Sequence, residues 1–120
     1  MDKDFGIVSD RQGANCLISL SGRITVDSSP ELRTLLMEQM QEATCGSLAI
    51  DFYEVEYVDT SVLAILVETL KAARACGKTF QLRRLRGRPR YLLQATSLLP
   101  LFGELEDEIP PAADSARSAQ

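Results

Sequence analysis

At 120 residues the chain has room for one domain and one hydrophobic core. Apolar residues make up 45% and charged residues 25%, the balance of an ordinary globular protein, with a formal net charge of −4. No apolar run approaches the roughly 18 residues a bilayer-spanning helix needs, and Met1-Asp2-Lys3-Asp4 lacks the basic start of a signal peptide, so a cytoplasmic protein without membrane insertion is expected.

Two β-patterns open the chain, Phe5 to Ser9 and Ala14 to Leu20, with Asp10-Arg11-Gln12-Gly13 as a hairpin turn. Ser28-Ser29-Pro30-Glu31 then reads as a helix start: a serine cap, proline in the first turn, glutamate three residues after Ser28. Leu32, Leu35, Leu36 and Met40 follow at helical spacing, and Cys45-Gly46 closes the helix. Leu48 to Phe52 is nearly all apolar, which predicts a central strand covered on both faces. Glu54, Glu56 and Asp59 fall in a strand-to-helix connection.

After Asp59 a second apolar stripe, Leu63, Leu66, Val67, Leu70 and Ala73, predicts a helix capped by Gly77. Lys71, Arg74 and Lys78 stand at its cation-favouring end. Thr79 to Leu82 is a further strand, and Pro89 to Ser97 a third helix. The order β-β-α-β-α-β-α predicts an α/β fold, a small mixed β-sheet with helices packed on it and right-handed crossovers. Residues 1–106 form the expected domain. The Pro-, Ala- and Ser-rich end, 107–120, is expected to be disordered.

Catalysis is not expected. The chain has no histidine, which removes Ser-His-Asp and Cys-His chemistry and the commonest general base near neutral pH. There is no Gly-rich phosphate loop, and no second acidic cluster converges on Glu54, Glu56 and Asp59. Cys16, Cys45 and Cys76 form no CxxC pair, so neither a metal nor a cofactor is implied. Cys16 reads as a core residue, while Cys45 and Cys76 precede glycines at helix ends.

From Thr69 to Gly103 there is no Asp or Glu, while Lys71, Arg74, Lys78, Arg83, Arg84, Arg86, Arg88 and Arg90 all fall there. This stretch suits a solvated face, a phosphate-bearing ligand or an acidic partner surface. Direct nucleic-acid binding is not expected, because few aromatic residues interleave and the overall charge is negative.

The most informative segment is Asp51 to Leu66. Asp59-Thr60-Ser61 opens an amphipathic helix, so two hydroxyls sit where unpaired amides and the helix dipole favour negative charge. Asp59 is placed to cap the helix. A phosphate on Ser61 would lie in the first turn and alter a surface by nearly two charges. A phosphorylation switch is expected there, at Ser61 first and Thr60 second.

Leu20-Ser21-Gly22, Ser28 to Arg33, Ile50-Asp51-Phe52, Val58-Asp59-Thr60-Ser61 with Leu63, Gly77-Lys78, and Thr96-Ser97-Leu98 with Leu101-Phe102 occur in an order and spacing that resembles the STAS domain family, over residues 5 to 105. The likeness is to its anti-sigma factor antagonists. It implies a protein that binds a serine-kinase anti-sigma factor, is phosphorylated by it at Ser61, and is reset by a PP2C-type phosphatase. It implies partner contacts through the Ser21–Asp27 loop, with Ser21, Gly22, Thr25 and Asp27, and through the helix start, with Asp59, Thr60, Val62 and Leu63. Self-association is compatible with it. Val62 stands where the family motif carries glycine, and Thr25 where it usually carries aspartate; both are expected on the partner-facing side. The alternative implied by the same family is a subunit docked permanently on the ATPase of an ABC-type lipid transport system.

Overall fold

The computed structural model describes residues 5–105, with side-chain surroundings through Phe102. The expected tail, 107–120, and the boundary at 106 lie outside the described residues. The elements in chain order are β1 (Phe5–Gln12), β2 (Asn15–Ile24), α1 (Ser29–Gln41), β3 (Ser47–Val58), α2 (Thr60–Cys76), β4 (Thr79–Arg83), α3 (Gly87–Ala95), a 3-10 turn (Leu99–Leu101) and β5 (Gly103–Leu105). The predicted order is thus realised, followed by a short fifth strand that sequence periodicity did not indicate. The strands lie side by side in chain order, β1 antiparallel to β2 and every later pair parallel.

Alternation explains which face of the sheet is deep. In β2, Cys16, Ile18 and Leu20 are buried while Leu17, Ser19 and Ser21 are half-buried; in β4, Phe80 and Leu82 are buried between less buried neighbours. The buried set meets Leu32, Leu36 and Met40 of α1 and Leu63, Leu66, Leu70 and Ala73 of α2 in one core. Each Ile, Leu, Met and Phe among them contributes about 1.5–3 kcal/mol by leaving water. Phe102 closes the β5 end edge-on to Phe80, with ring centroids 6.0 Å apart. The expected coverage of both faces of β3 is corrected: Ala49 on the opposite face is only half-buried, and Asp51 there is buried by pairing with Arg84.

The largest departure is the length of β3. Tyr53 to Val58 continue the strand and are not a connection, because β3 carries two residues more than β2 over the paired stretch. Asp51 and Glu54 span the register of Ser19 and Ser21, and Val55 and Tyr57 span that of Gly22 and Arg23. Each irregularity bends the strand and re-aims its side chains. Similarly, β1 and β2 extend past their predicted ends and leave Gly13 and Ala14 as the hairpin loop.

Helix ends also differ in their chemistry. The Ser28 hydroxyl does not cap α1; it turns back, accepting from the Thr25 amide at 3.0 Å and donating to the Thr25 carbonyl at 3.3 Å. The helix stops at Gln41, before the predicted Cys45-Gly46. The Lys78 amide closes α2 on the Ala73 carbonyl at 2.8 Å, but its ammonium leaves that helix and donates to the carbonyls of Gln39 and Glu42, at 3.3 and 2.5 Å, satisfying the exposed end of α1. Gly77 caps α2 in the left-handed conformation, φ 72, as expected. Arg33 of α1 meets Glu68 of α2 in an exposed ion pair, a contact that contributes little.

No helix among the described residues is long and apolar enough to cross a membrane. Cys16 and Cys45 are buried and Cys76 is exposed. Burial, with a hydrogen bond to Cys16, pushes the Cys45 thiol up to about 11, so it stays protonated and unreactive near neutral pH.

Candidate switch site at the start of α2

The site is built where β2 and β3 end beside each other. Ile24 pairs with Val58, so the chain leaving β2 and the chain entering α2 start from the same edge. The Asp59 amide donates to the Ile24 carbonyl at 3.3 Å. The Asp59 side chain then faces both segments. Oδ1 accepts from the Ser61 amide at 3.0 Å and from the Ser61 hydroxyl at 2.5 Å, while Oδ2 accepts from the Val26 amide at 2.9 Å. One carboxylate therefore caps α2 and fastens the β2–α1 loop to it.

These bonds act on the charge of Asp59. Partial burial pushes its carboxyl up, but the Ser61 hydroxyl and the backbone amides of Val26, Ser61 and Val62 outweigh that and hold it below the ordinary range. A folded value under the unfolded one stabilises the latch above the ordinary aspartate pKa, about 4, and the stabilisation is lost as pH falls through the folded value. The expected result is an acid titration of the Val26 amide, seen by NMR as a shift and loss of exchange protection below about pH 4 while the core amides stay protected. A Val26 amide indifferent to that range would show that the latch is absent in solution.

The anticipated contact residues separate into groups. Thr25 is half-buried, while Asp27 and Thr60 are exposed; Ser61 is half-buried with its hydroxyl on Asp59. The loop itself is shorter than Ser21–Asp27. Ser21 and Gly22 lie within β2, paired with Gly6 and Phe5 of β1, and Gly22 takes φ 81, a conformation glycine reaches without strain. Val26, not singled out by the sequence pattern, is 64% exposed and is the residue the Asp59 latch holds. A large apolar side chain in a polar turn was the available signal.

Val62 and Leu63 correct the expectation of a partner-facing side chain at both positions. Val62 is fully buried and Leu63 is 5% exposed; both belong to the core. The third residue of an α-helix starting at Thr60 faces the sheet, so its side chain cannot hold a partner's backbone away. Replacing Val62 by glycine should therefore cost about 2–4 kcal/mol, from lost burial and helix propensity, and leave partner affinity unchanged. Urea unfolding and a binding titration on the same variant check both halves.

The other ionic feature lies along β3. Arg84, at φ 51, places its guanidinium on buried Asp51, with Nη2 to Oδ2 at 2.5 Å and Nε to both oxygens at 3.2 Å. Asp51 Oδ1 also accepts from the Tyr53 amide at 2.9 Å. Part of the basic stretch is therefore committed to structure. Among the described residues, no cluster of three or more His, Cys, Asp or Glu side chains could hold a metal ion.

The family model described as "Mlab, STAS domain" matches residues 7–101. No curated protein matches the sequence. Among solved structures, an anti-sigma factor antagonist from Mycobacterium paratuberculosis superposes with a TM-score of 0.77 at 20% identity, covering 96% of this chain and 92% of that one. The anti-sigma factor antagonist SpoIIAA in its unphosphorylated form gives 0.74 at 15% identity, over 94% and 97% of the two chains. The murine anion transporter Slc26a9 gives 0.61 at 12% identity, covering 72% of this chain and 14% of that chain. The fold is common to all of these.

Proposed function

Since this chain belongs to the STAS domain family, we propose that it is an anti-sigma factor antagonist, switched by phosphorylation of Ser61 and controlling transcription indirectly by binding a serine-kinase anti-sigma factor in the cytoplasm. The observation that carries this reading is the shared carboxylate of Asp59, which joins Ser61 and Val26 into one surface. A partner that touches the loop also touches the phosphoacceptor. A phosphate ester on Ser61 removes the hydroxyl proton that Asp59 accepts and sets two anionic groups side by side. The helix amides favour the phosphate, while the neighbouring carboxylate opposes it, so Asp59 would turn away and release the Val26 amide. Phosphorylation then changes charge and loop position together. A PP2C-type phosphatase would restore the binding form. Thr60 is the second acceptor, exposed one residue earlier but without the Asp59 contact to its hydroxyl.

One observation favours a second reading. The Ser61 amide and hydroxyl both end on Asp59, which is a complete static helix cap. A subunit docked permanently on the ATPase of an ABC-type lipid transport system needs no more than that. Intact mass and phosphopeptide mapping of the protein from its own cells, before and after stress, separates the two. A phosphate on Ser61 whose stoichiometry changes with condition supports the switch. An unmodified Ser61 under every condition, together with stable recovery in complex with a transporter ATPase, replaces it with the docking subunit.

A further inference from the structure

Beyond the switch, the two tyrosines of β3 carry four arginines. The Tyr53 ring holds the guanidinium carbons of Arg84 and Arg86 at 4.5 and 4.4 Å from its centroid; the Tyr57 ring holds those of Arg23 and Arg88 at 4.5 and 5.1 Å. Arg23 comes from β2, Arg84 and Arg86 from the β4–α3 connection, and Arg88 from the first turn of α3. Their charges are not equally spent. Arg84 is neutralised by Asp51, and Arg86 donates Nε and Nη2 to the Tyr53 carbonyl at 3.1 and 2.6 Å. Among the described residues, Arg23, Arg86 and Arg88 form no ion pair, and all three are exposed.

A guanidinium stacked on a ring uses its face and keeps its in-plane N–H edge for another group. Stacking also removes part of the rotamer freedom that a long side chain otherwise loses on binding. Arg23 and Arg88 are therefore pre-ordered forks, and a carboxylate is a planar acceptor that fits such a fork with two bonds. Neither tyrosine of β3 offers a free face for a base to stack on, since each is taken by two arginines. Glu54 and Glu56 stand exposed on the same strand, so the stiff, evenly charged backbone of a duplex meets both signs of charge, whereas a flexible peptide can set its carboxylates on the arginines alone. Tyrosine with arginine is also the composition of energetic centres in protein interfaces.

We propose that Arg23, Tyr57, Arg88 and Arg86 form a docking surface for an acidic polypeptide segment of a partner, whose carboxylates pair with the outward edges of Arg23 and Arg88. This surface does not depend on modification of Ser61.

The test uses the full chain with labelled arginine side chains, titrated with an octaglutamate peptide and, in parallel, with inorganic phosphate and a short duplex DNA. The expected result is saturable shifts at the Nε signals of Arg23 and Arg88, weakening with salt, with the peptide binding tighter than either other probe. Binding should fall roughly tenfold in Arg23→Gln with Arg88→Gln, the size of a lost charge-assisted pair. Arg23→Lys with Arg88→Lys keeps the charge without the fork and should also bind more weakly. Preserved amide spectra show that these variants fold.

Equal shifts at Arg74, full binding by the lysine variant, or tighter binding of phosphate or DNA would each overturn the proposal. If octaglutamate binds only after Glu106→Gln, Asp107→Asn and Glu108→Gln together, the chain's own acidic segment is the occupant and a partner in trans is ruled out. Ser61→Asp should leave the peptide affinity within about twofold, a change too small to represent a lost contact. Loss of peptide binding in that variant would make the patch part of the switch and overturn its independence, whereas an inert Ser61 with normal peptide binding removes the switch alone.

Discussion

Replacing Arg84 with methionine is expected to destabilise the fold by about 3–5 kcal/mol, the cost of leaving a buried carboxylate without its cation. The side chains of Arg84 and Asp51 are only 10% and 7% exposed, and the pair is bound through three nitrogen–oxygen contacts. Methionine keeps the length of the stem but supplies no donor, so Asp51 retains only the Tyr53 amide. Such a loss is a large share of the roughly 5–15 kcal/mol by which a domain is stable. Removing both partners, Arg84→Met with Asp51→Leu, should return most of it, because apolar groups of similar volume need no counter-charge. Arg86→Gln is the control: its guanidinium is exposed, and about 1 kcal/mol or less is expected. Urea midpoints with unchanged slopes measure all three. A cost under about 1 kcal/mol for Arg84→Met would mean that water reaches Asp51 and that the pair is not buried in solution.

That pair also shows where sequence reasoning stops. The helix stripes, the Gly77 cap, the Asp59 cap and the element order were legible because each rests on residues within a few positions of one another. The Arg84–Asp51 pair joins residues 33 apart. Nothing in the local pattern of either distinguishes a buried partner from a solvated one. The same holds for Lys78, whose targets on α1 lie 36 and 39 residues away, and for Arg23 and Arg88 on Tyr57. The length of β3 was hidden for a different reason. Two extra residues break the alternation that marks a strand, so Glu54 and Glu56 read as loop. Ser28 had the right type and spacing for a cap, but the tight turn at Thr25 offered its hydroxyl a nearer partner. At the site, Ser61 and its capping aspartate were readable, whereas the burial of Val62 required knowing which face of α2 meets the sheet.

Ser61→Asp is expected to weaken binding to a serine-kinase anti-sigma factor by about a hundredfold or more, equivalent to roughly 3 kcal/mol, while Ser61→Ala binds within about threefold of the original chain. The difference follows from the single acceptor the two segments share. Alanine removes one donor to Asp59 but leaves the Ser61-position amide and the Val26 amide on the carboxylate. The latch, and with it the loop position, survives. Aspartate instead sets a second carboxylate where the hydroxyl stood 2.5 Å from Asp59, and both cannot keep the same place as anions. The helix dipole returns about 0.3–1 kcal/mol to a charge in the first turn, which offsets most of the roughly 1 kcal/mol lost as Asp59 leaves its cap, so fold stability changes little. The binding surface, by contrast, gains an uncompensated anion and loses the Val26 anchor. Calorimetric titration of the two variants against a purified anti-sigma factor of the kinase type reads this directly. The pattern sought is a large affinity gap between variants whose unfolding midpoints nearly coincide. Equal affinity for both would mean that the charge at Ser61 is not read by the partner, and the static cap would then be the whole role of this residue.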